Sequence, residues 1–185
     1  MSWRLIEEMS EISDKDIQNT KDIMIAVDSA NVKLSNLLKE NAVELNLEGK
    51  NKAEIISELV DIACKACGIR NKKTLTDALE EREKLGSTAI GNGVAVPHAK
   101  IDGIKQIMLT FGRSSEGVDF NSLDGEKTYL FFMLISPKED IGAHLKILAK
   151  ISHLIKDRFM VGLFRKAKSK KEVLSTISNL EKFAK

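Results

Sequence analysis

Few side chains here can do chemistry, and two of the rarer residues stand side by side. The 185-residue chain has three histidines and two prolines, and Pro97-His98 joins one of each within "STAIGNGVAVPHAK", residues 87–100. Proline lacks an N–H and fixes its own φ, so it ends strand pairing and holds the next residue at a set angle. Gly91-Asn92-Gly93 just upstream allows unusual backbone angles. A histidine presented so rigidly at a strand end reads as a positioned nucleophile or a ligand, with a solvated or structural histidine as the plain alternative. Metal binding is the weaker functional option. Only His144 is a credible second ligand, and no carboxylate stands at an obvious partner spacing.

The other two histidines lie on one helical run, "EDIGAHLKILAKISHLIKD". At 100° per residue, Ile141, Leu145, Leu148, Ile151 and Ile155 form its apolar face. His144 falls within that face, close to the helix start, where the dipole disfavours imidazolium. Alone it reads as a satisfied core histidine. His153 falls on the opposite side with Lys146 and Lys150, a solvated position. The cysteines, "CKAC" at Cys64 and Cys67, close a helix instead of opening one, the wrong end for a lowered thiol pKa. A second Cys/His cluster to complete a zinc site is missing. They read as structural.

The elements that must position these residues are legible in part. "NKAEIISELVDIACKACG" puts Ile55, Ile56, Leu59, Val60, Ile62 and Ala63 on a broad stripe, and Gly68 stops the helix. "TLTDALEEREKLG" is a second helix, with Thr74 as N-cap and Gly86 at its end. "GVAVPH" is a short strand cut off by Pro97. "KQIMLTFGR" alternates Ile107, Leu109 and Phe111, which predicts a half-buried strand. "NSLDGEK" supplies an Asp-Gly turn. "KTYLFFMLISP" is a continuous apolar run ended by Pro137, a strand buried on both faces. "SKKEVLSTISNLEKF" opens with a Ser169/Glu172 capping box and turns Val173, Leu174, Ile177 and Leu180 inward. Helices on either side of a few strands imply a layered α/β fold.

Composition bounds the rest. The chain is 43% hydrophobic with net charge +2, enough for one domain and an appendage. The balanced charge and 5% aromatic content give no footprint for nucleic acid. No apolar run spans a bilayer, and the acidic start, "MSWRLIEEMSEISDKD", is not a secretory signal. With two cysteines, this predicts a cytoplasmic protein. Residues 1–33 differ from the rest: Trp3, Ile6, Met9 and Ile12 recur at helical spacing. They predict a helical extension docked on the domain, on a partner, or on a second copy in a homodimer. Residues 34–185 form the domain.

"EREKLGSTAIGNGVAVPHAK" resembles the active-site signature of the IIA domains of the bacterial phosphoenolpyruvate:sugar phosphotransferase system. The type is that of fructose and mannitol, which includes the nitrogen-regulatory IIA proteins. The resemblance runs on through "GVDFNSLDGEKTYLFFMLISP" and "GAHLKILAKIS", over about residues 34 to 183. It implies a mixed, mainly five-stranded β-sheet sandwiched between α-helices. It also implies that His98 is phosphorylated by HPr or an HPr-like protein and passes the group to the cysteine of a IIB component. His144 and Arg82 match the family's second histidine and arginine, which stabilise the phosphate. By itself, Arg82 in "EEREK" would read as a solvated helix residue. "HAK" replaces the commoner "HGK" or "HGR", so Ala99 stands where many relatives have glycine.

The chemistry agrees with these residues. Phosphoryl transfer between imidazoles needs positioning and charge stabilisation more than covalent help. His98 would attack through Nε2, Arg82 would fork onto the phosphoryl oxygens, and His144 would donate to them. Thr88 and the backbone at Asn92 and Gly93 are further candidate donors. No metal or cofactor is required. The chain carries no IIB-like cysteine loop, so IIB is expected on a separate chain. The alternative is a nitrogen-regulatory protein whose His98 phosphorylation controls binding to a regulatory partner. A redox or zinc role for Cys64 and Cys67 is the third reading.

Overall fold

The computed structural model describes residues 32–183, and the expectation for residues 1–31 lies outside them. Chain order is α1 (Leu34–Leu37), β1 (Leu38–Glu44), α2 (Lys52–Cys67), α3 (Lys72–Lys84), β2 (Ala89–Gly91), β3 (Val94–Ala95), β4 (His98–Ile101), β5 (Met108–Val118), β6 (Thr128–Pro137), α4 (Ile141–Lys156), α5 (Arg158–Lys166) and α6 (Lys170–Phe183). The strands form one six-stranded mixed sheet in the order β1-β5-β6-β3-β2, with β4 also on β6. Because β3 and β4 follow one another along the same edge of β6, the sheet is five strands wide. This is the predicted layered α/β architecture.

β6 is the axis of the fold. It pairs antiparallel with β5 and parallel with both β3 and β4. Its residues from Leu130 to Ser136 are all buried, as the continuous apolar run predicts. Alternation then splits them between two cores. Leu130, Phe132 and Leu134 pack with Ile147, Ile151, Ile155, Phe164 and Ile177 of α4–α6. Phe131, Met133 and Ile135 pack with Ile55, Leu59, Leu75 and Leu79 of α2 and α3. On the first face Phe111, Phe132 and Phe164 meet with ring centroids 5.1–5.7 Å apart.

Several expectations change. β5 is not half-buried: Met108 to Gly112 are all covered, because helices lie on both faces of the sheet. Gly112 sits where a Cβ would come within 2.6 Å of Leu47 and 2.8 Å of Leu59. The cap of α3 is Asn71, whose side chain accepts from the N–H of Thr74, so Thr74 lies inside the helix. α2 starts and stops as expected, with Asn51 accepting from the Glu54 N–H and Gly68 left-handed at φ 71°. α5 has no counterpart in the sequence reading. Asp157 caps it through the N–H of Phe159. The inward face of α4 carries His144, Ile147, Ile151 and Ile155, whereas Ile141 and Leu145 are 53% and 47% exposed. The chain entering at Val32 is held by Lys150, which donates to its carbonyl, and by Glu181, which accepts from Leu34 and Ser35.

Candidate functional site

The strand does not end at Pro97; it resumes one residue later. Proline cannot donate to the ladder. Its carbonyl still accepts from the N–H of Leu134 at 2.9 Å, so His98 is delivered into register opposite Leu134. The Val96 N–H is taken by the carbonyl of Thr88 at 3.0 Å. Its carbonyl meets the ring instead: His98 Nδ1 lies 2.8 Å from it. A carbonyl only accepts, so Nδ1 carries the hydrogen and Nε2 carries the lone pair. His98 is half-buried.

Arg82 comes from the last turn of α3, which lies beside β4. Its Nε–H donates to His98 Nε2 at 2.9 Å, and its Nη1 donates to the Gly86 carbonyl at 3.1 Å. The helix end that presents it is fastened by the next residue. The Glu83 carboxylate accepts from the Thr88 N–H at 3.0 Å, from the Thr88 hydroxyl at 2.7 Å and from Lys52 at 2.9 Å. So the end of α3, the residue before β2 and the start of α2 are tied at one carboxylate next to the arginine in sequence.

His144 enters from the first turn of α4, with its ring centroid 5.5 Å from that of His98. It is 4% exposed, and its Nδ1 lies 2.6 Å from the hydroxyl of Ser136 on β6. Both histidines are held far below the ordinary 6.5, at about 4. Burial is the main cause for each. The positive charges of Arg82 and Lys100 add to it at both rings. Both rings are therefore neutral near pH 7. This is a site that wants negative charge: two neutral imidazoles beneath the field of an arginine and a lysine.

The other sequence candidates are placed differently. Thr88 is buried, and its hydroxyl hydrogen is committed to Glu83. Asn92 and Gly93 form a left-handed turn, φ 55° and 73°, at the far end of β3. Val94 pairs with Leu130 and His98 with Leu134, so about 13 Å of strand separates the turn from the imidazole. The Asn92 N–H donates to Asp124, and the Gly93 carbonyl accepts from Tyr129 and Leu130. His153 is exposed, as expected. Cys64 and Cys67 are half-buried at the end of α2, and burial pushes both thiols up. Among the described residues, no group of three or more His, Cys, Asp or Glu is placed to hold a metal ion, and no helix is long and apolar enough to cross a membrane.

Comparison with known proteins decides the family. Residues 36–180 match the family described as phosphoenolpyruvate-dependent sugar phosphotransferase system, EIIA 2. The chain belongs to that family. It is 32% identical over 151 residues to the fructose-specific EIIABC component of Bacillus subtilis, covering 82% of this chain and 24% of that protein. The chain thus spans about a quarter of that relative's length. It is also 32% identical over 145 residues to a nitrogen regulatory protein of Bradyrhizobium diazoefficiens, covering 78% of this chain and 94% of that one. Among solved structures, the nitrogen regulatory protein IIA-Ntr of Neisseria meningitidis superposes with a TM-score of 0.74 at 28% identity, covering 78% of this chain and 98% of that one.

For an EIIA 2 chain, the residues that sequence reasoning misses are those that hold the three it finds. The Val96 carbonyl and Glu83 carry no sequence signal. Ser136 does carry one: it is a hydroxyl in an otherwise apolar run, two positions beyond the register partner of His98.

Proposed function

We propose that this EIIA chain is a phosphohistidine carrier in sugar uptake of the fructose/mannitol type. His98 accepts a phosphoryl group from the phosphohistidine of HPr or an HPr-like protein and passes it to a cysteine of a IIB component. The observation that carries the reading is the state of the His98 ring. Nδ1–H is fixed on the Val96 carbonyl, and the Nε2 lone pair faces Arg82 at 2.9 Å.

The step balances on these atoms. The Nε2 lone pair forms the new N–P bond as the donor's N–P bond breaks, and that electron pair returns to the donor imidazole. No proton need leave His98, because Nδ1–H stays on its carbonyl. Before attack the Arg82 Nε–H must release Nε2. It then turns to the phosphoryl oxygens, joined by a hydrogen bond from His144 and the field of Lys100. The group leaves in the reverse sense: a thiolate on IIB forms a P–S bond as N–P breaks. Leu85, three residues after Arg82, and Ile141 and Leu145, on either side of His144 in α4, are 76%, 53% and 47% exposed, apolar side chains suited to a protein donor.

A second reading concerns the recipient. The nitrogen regulatory relative is as similar as the fructose one and is covered over 94% of its length. In that reading the phosphate, carrying about −1.5 to −2 charges, controls binding of a regulatory partner. The test is transfer from phosphoenolpyruvate through enzyme I and HPr, scored as acid-labile phosphate by intact mass. Label on the wild type and none on His98→Gln supports the carrier. Subsequent loss of label on adding a IIB protein separates uptake from regulation. An unlabelled wild type beside active donors overturns the proposal.

A further inference from the structure

We propose that Ser136 is a positioning residue, which acts through His144 by fixing the hydrogen on Nε2 so that this ring faces a phosphate on His98 as a donor. The inference rests on the phosphocarrier reading of the site, and it concerns a residue that is not among those carried over by resemblance. Ser136 is fully buried near the end of β6. It lies on the same face of the sheet as His98, whose register partner is Leu134, two residues earlier. Its hydroxyl is 2.6 Å from His144 Nδ1 and makes no other hydrogen bond among the described residues.

Two arrangements of that contact are open, and burial separates them. If Nδ1–H donated to the hydroxyl oxygen, the serine's own hydrogen would be left without an acceptor in a site closed to water. An unmade bond from a buried donor costs more than an unused lone pair. The histidine would then also turn a bare Nε2 lone pair toward an incoming anion. If the serine donates to Nδ1, both faults vanish. The buried hydrogen is satisfied, and the imidazole is the Nε2–H tautomer. With Nδ1 tied to β6, Nε2 is the nitrogen that remains for a group on His98, whose ring centroid is 5.5 Å away.

The two histidines thus form a complementary pair. The Val96 carbonyl holds the hydrogen of His98 on Nδ1 and leaves Nε2 as the nucleophile. The Ser136 hydroxyl does the opposite for His144 and leaves Nε2 as the donor. Neighbouring rings of identical chemistry receive opposite roles from one backbone acceptor and one side-chain donor.

The experiment is a two-bond 1H–15N correlation spectrum of the 15N-histidine-labelled chain at pH 7.5, with Ser136→Ala and Ser136→Thr beside the wild type. In the wild type, His144 is expected as the Nε2–H tautomer with a hydrogen-bonded Nδ1. In Ser136→Ala the Nδ1 signal should move to that of an unbonded lone pair, while His98 keeps its own pattern. Phosphate acceptance from phospho-HPr should slow about tenfold with the KM for the donor unchanged, as when a ring loses its orienting partner, and Ser136→Thr should restore most of it. Hydrogen on Nδ1 of the wild-type His144 overturns the proposal, whether or not the variants fold. So does a Ser136→Ala chain with an unmoved signal and full rate. A wild type that takes no phosphate from an active donor sinks the carrier reading instead, and the tautomer then judges this proposal separately.

Discussion

Arg82 donates its Nε–H to the Nε2 of His98 at 2.9 Å, so the group that would stabilise the phosphate also covers the lone pair that would attack it. The same contact favours the neutral ring, since a protonated Nε2 has no lone pair to offer. Arg82→Gln removes both effects. The His98 pKa, held at about 4 mainly by burial and further lowered by Arg82, should rise toward 6.5 without reaching it. Acceptance of phosphate should slow about a hundredfold, the usual cost of losing an oxyanion donor. Arg82→Lys should recover charge but not the fork, and so only part of the rate. An NMR titration with single-turnover labelling reads both. A fast Arg82→Gln variant would remove the arginine from the chemistry.

Acid should weaken the fold through the same two histidines. Each has a folded pKa of about 4 against an ordinary value of 6.5. Between these values the unfolded chain binds protons that the folded one refuses, so stability falls as pH drops from 6.5 toward 4. More than about one pH unit above 6.5 neither ring contributes a slope. Urea midpoints between pH 7.5 and 5.2 keep the carboxylates ionised and isolate the effect. The midpoint should be nearly flat near pH 7.5 and decline ever more steeply as the pH falls through 6.5. His144→Gln should show a shallower decline, whatever its stability at pH 7.5. Identical slopes in the two chains would show that His144 is not the buried neutral ring described.

Legibility followed periodicity. α2, α4, α6 and β6 declare themselves because their apolar residues recur at helical spacing or run without a break. β1 does not: Leu38, Ala42 and Val43 are its buried residues, with Lys39, Glu40 and Asn41 between, and its register on β5 shifts along the way. α5 does put Met160, Val161 and Phe164 at helical spacing, but it is nine residues long with Gly162 inside, shorter than the window over which a helical period is read. The half-buried reading of β5 failed because alternation cannot show that helices cover both faces. At the site, Pro97-His98 was legible because a proline beside a histidine is a local constraint. Arg82 was not, except by resemblance, because its contact with His98 crosses from helix to strand. The Asn92-Gly93 turn was read as a phosphate donor because nearness in sequence stood in for nearness in space, and Thr88 because sequence does not show that Glu83 takes its hydroxyl hydrogen.

The glycine turn should therefore matter to the fold and not to the chemistry. Gly93 has φ 73°, and a Cβ there would lie 3.1 Å from the ring of Tyr129. Gly93→Ala adds left-handed strain of about 1–3 kcal/mol to that close contact, so Tm should fall. Phosphate taken up per folded molecule should stay at the wild-type rate. A variant with unchanged Tm and lost labelling would return the turn to the active site.

Thr88 separates two roles in one substitution. Its N–H and hydroxyl both donate to Glu83, which also holds Lys52, and Glu83 adjoins Arg82 at the end of α3. Thr88→Val keeps the volume and the N–H but removes one hydrogen bond to a buried carboxylate, a loss of about 1.5–3 kcal/mol. The end of α3 should loosen and Arg82 should sit less squarely on His98. The expected result is a clear drop in the urea midpoint with labelling that slows less than tenfold and still runs to completion. A hydroxyl that donated directly to the phosphate would give the reverse: an intact midpoint and a rate down about a hundredfold, as for any lost oxyanion donor. Unfolding and single-turnover labelling on one preparation distinguish the two. With the threonine's hydroxyl oxygen already 2.7 Å from a carboxylate oxygen, the first pattern is the expected one.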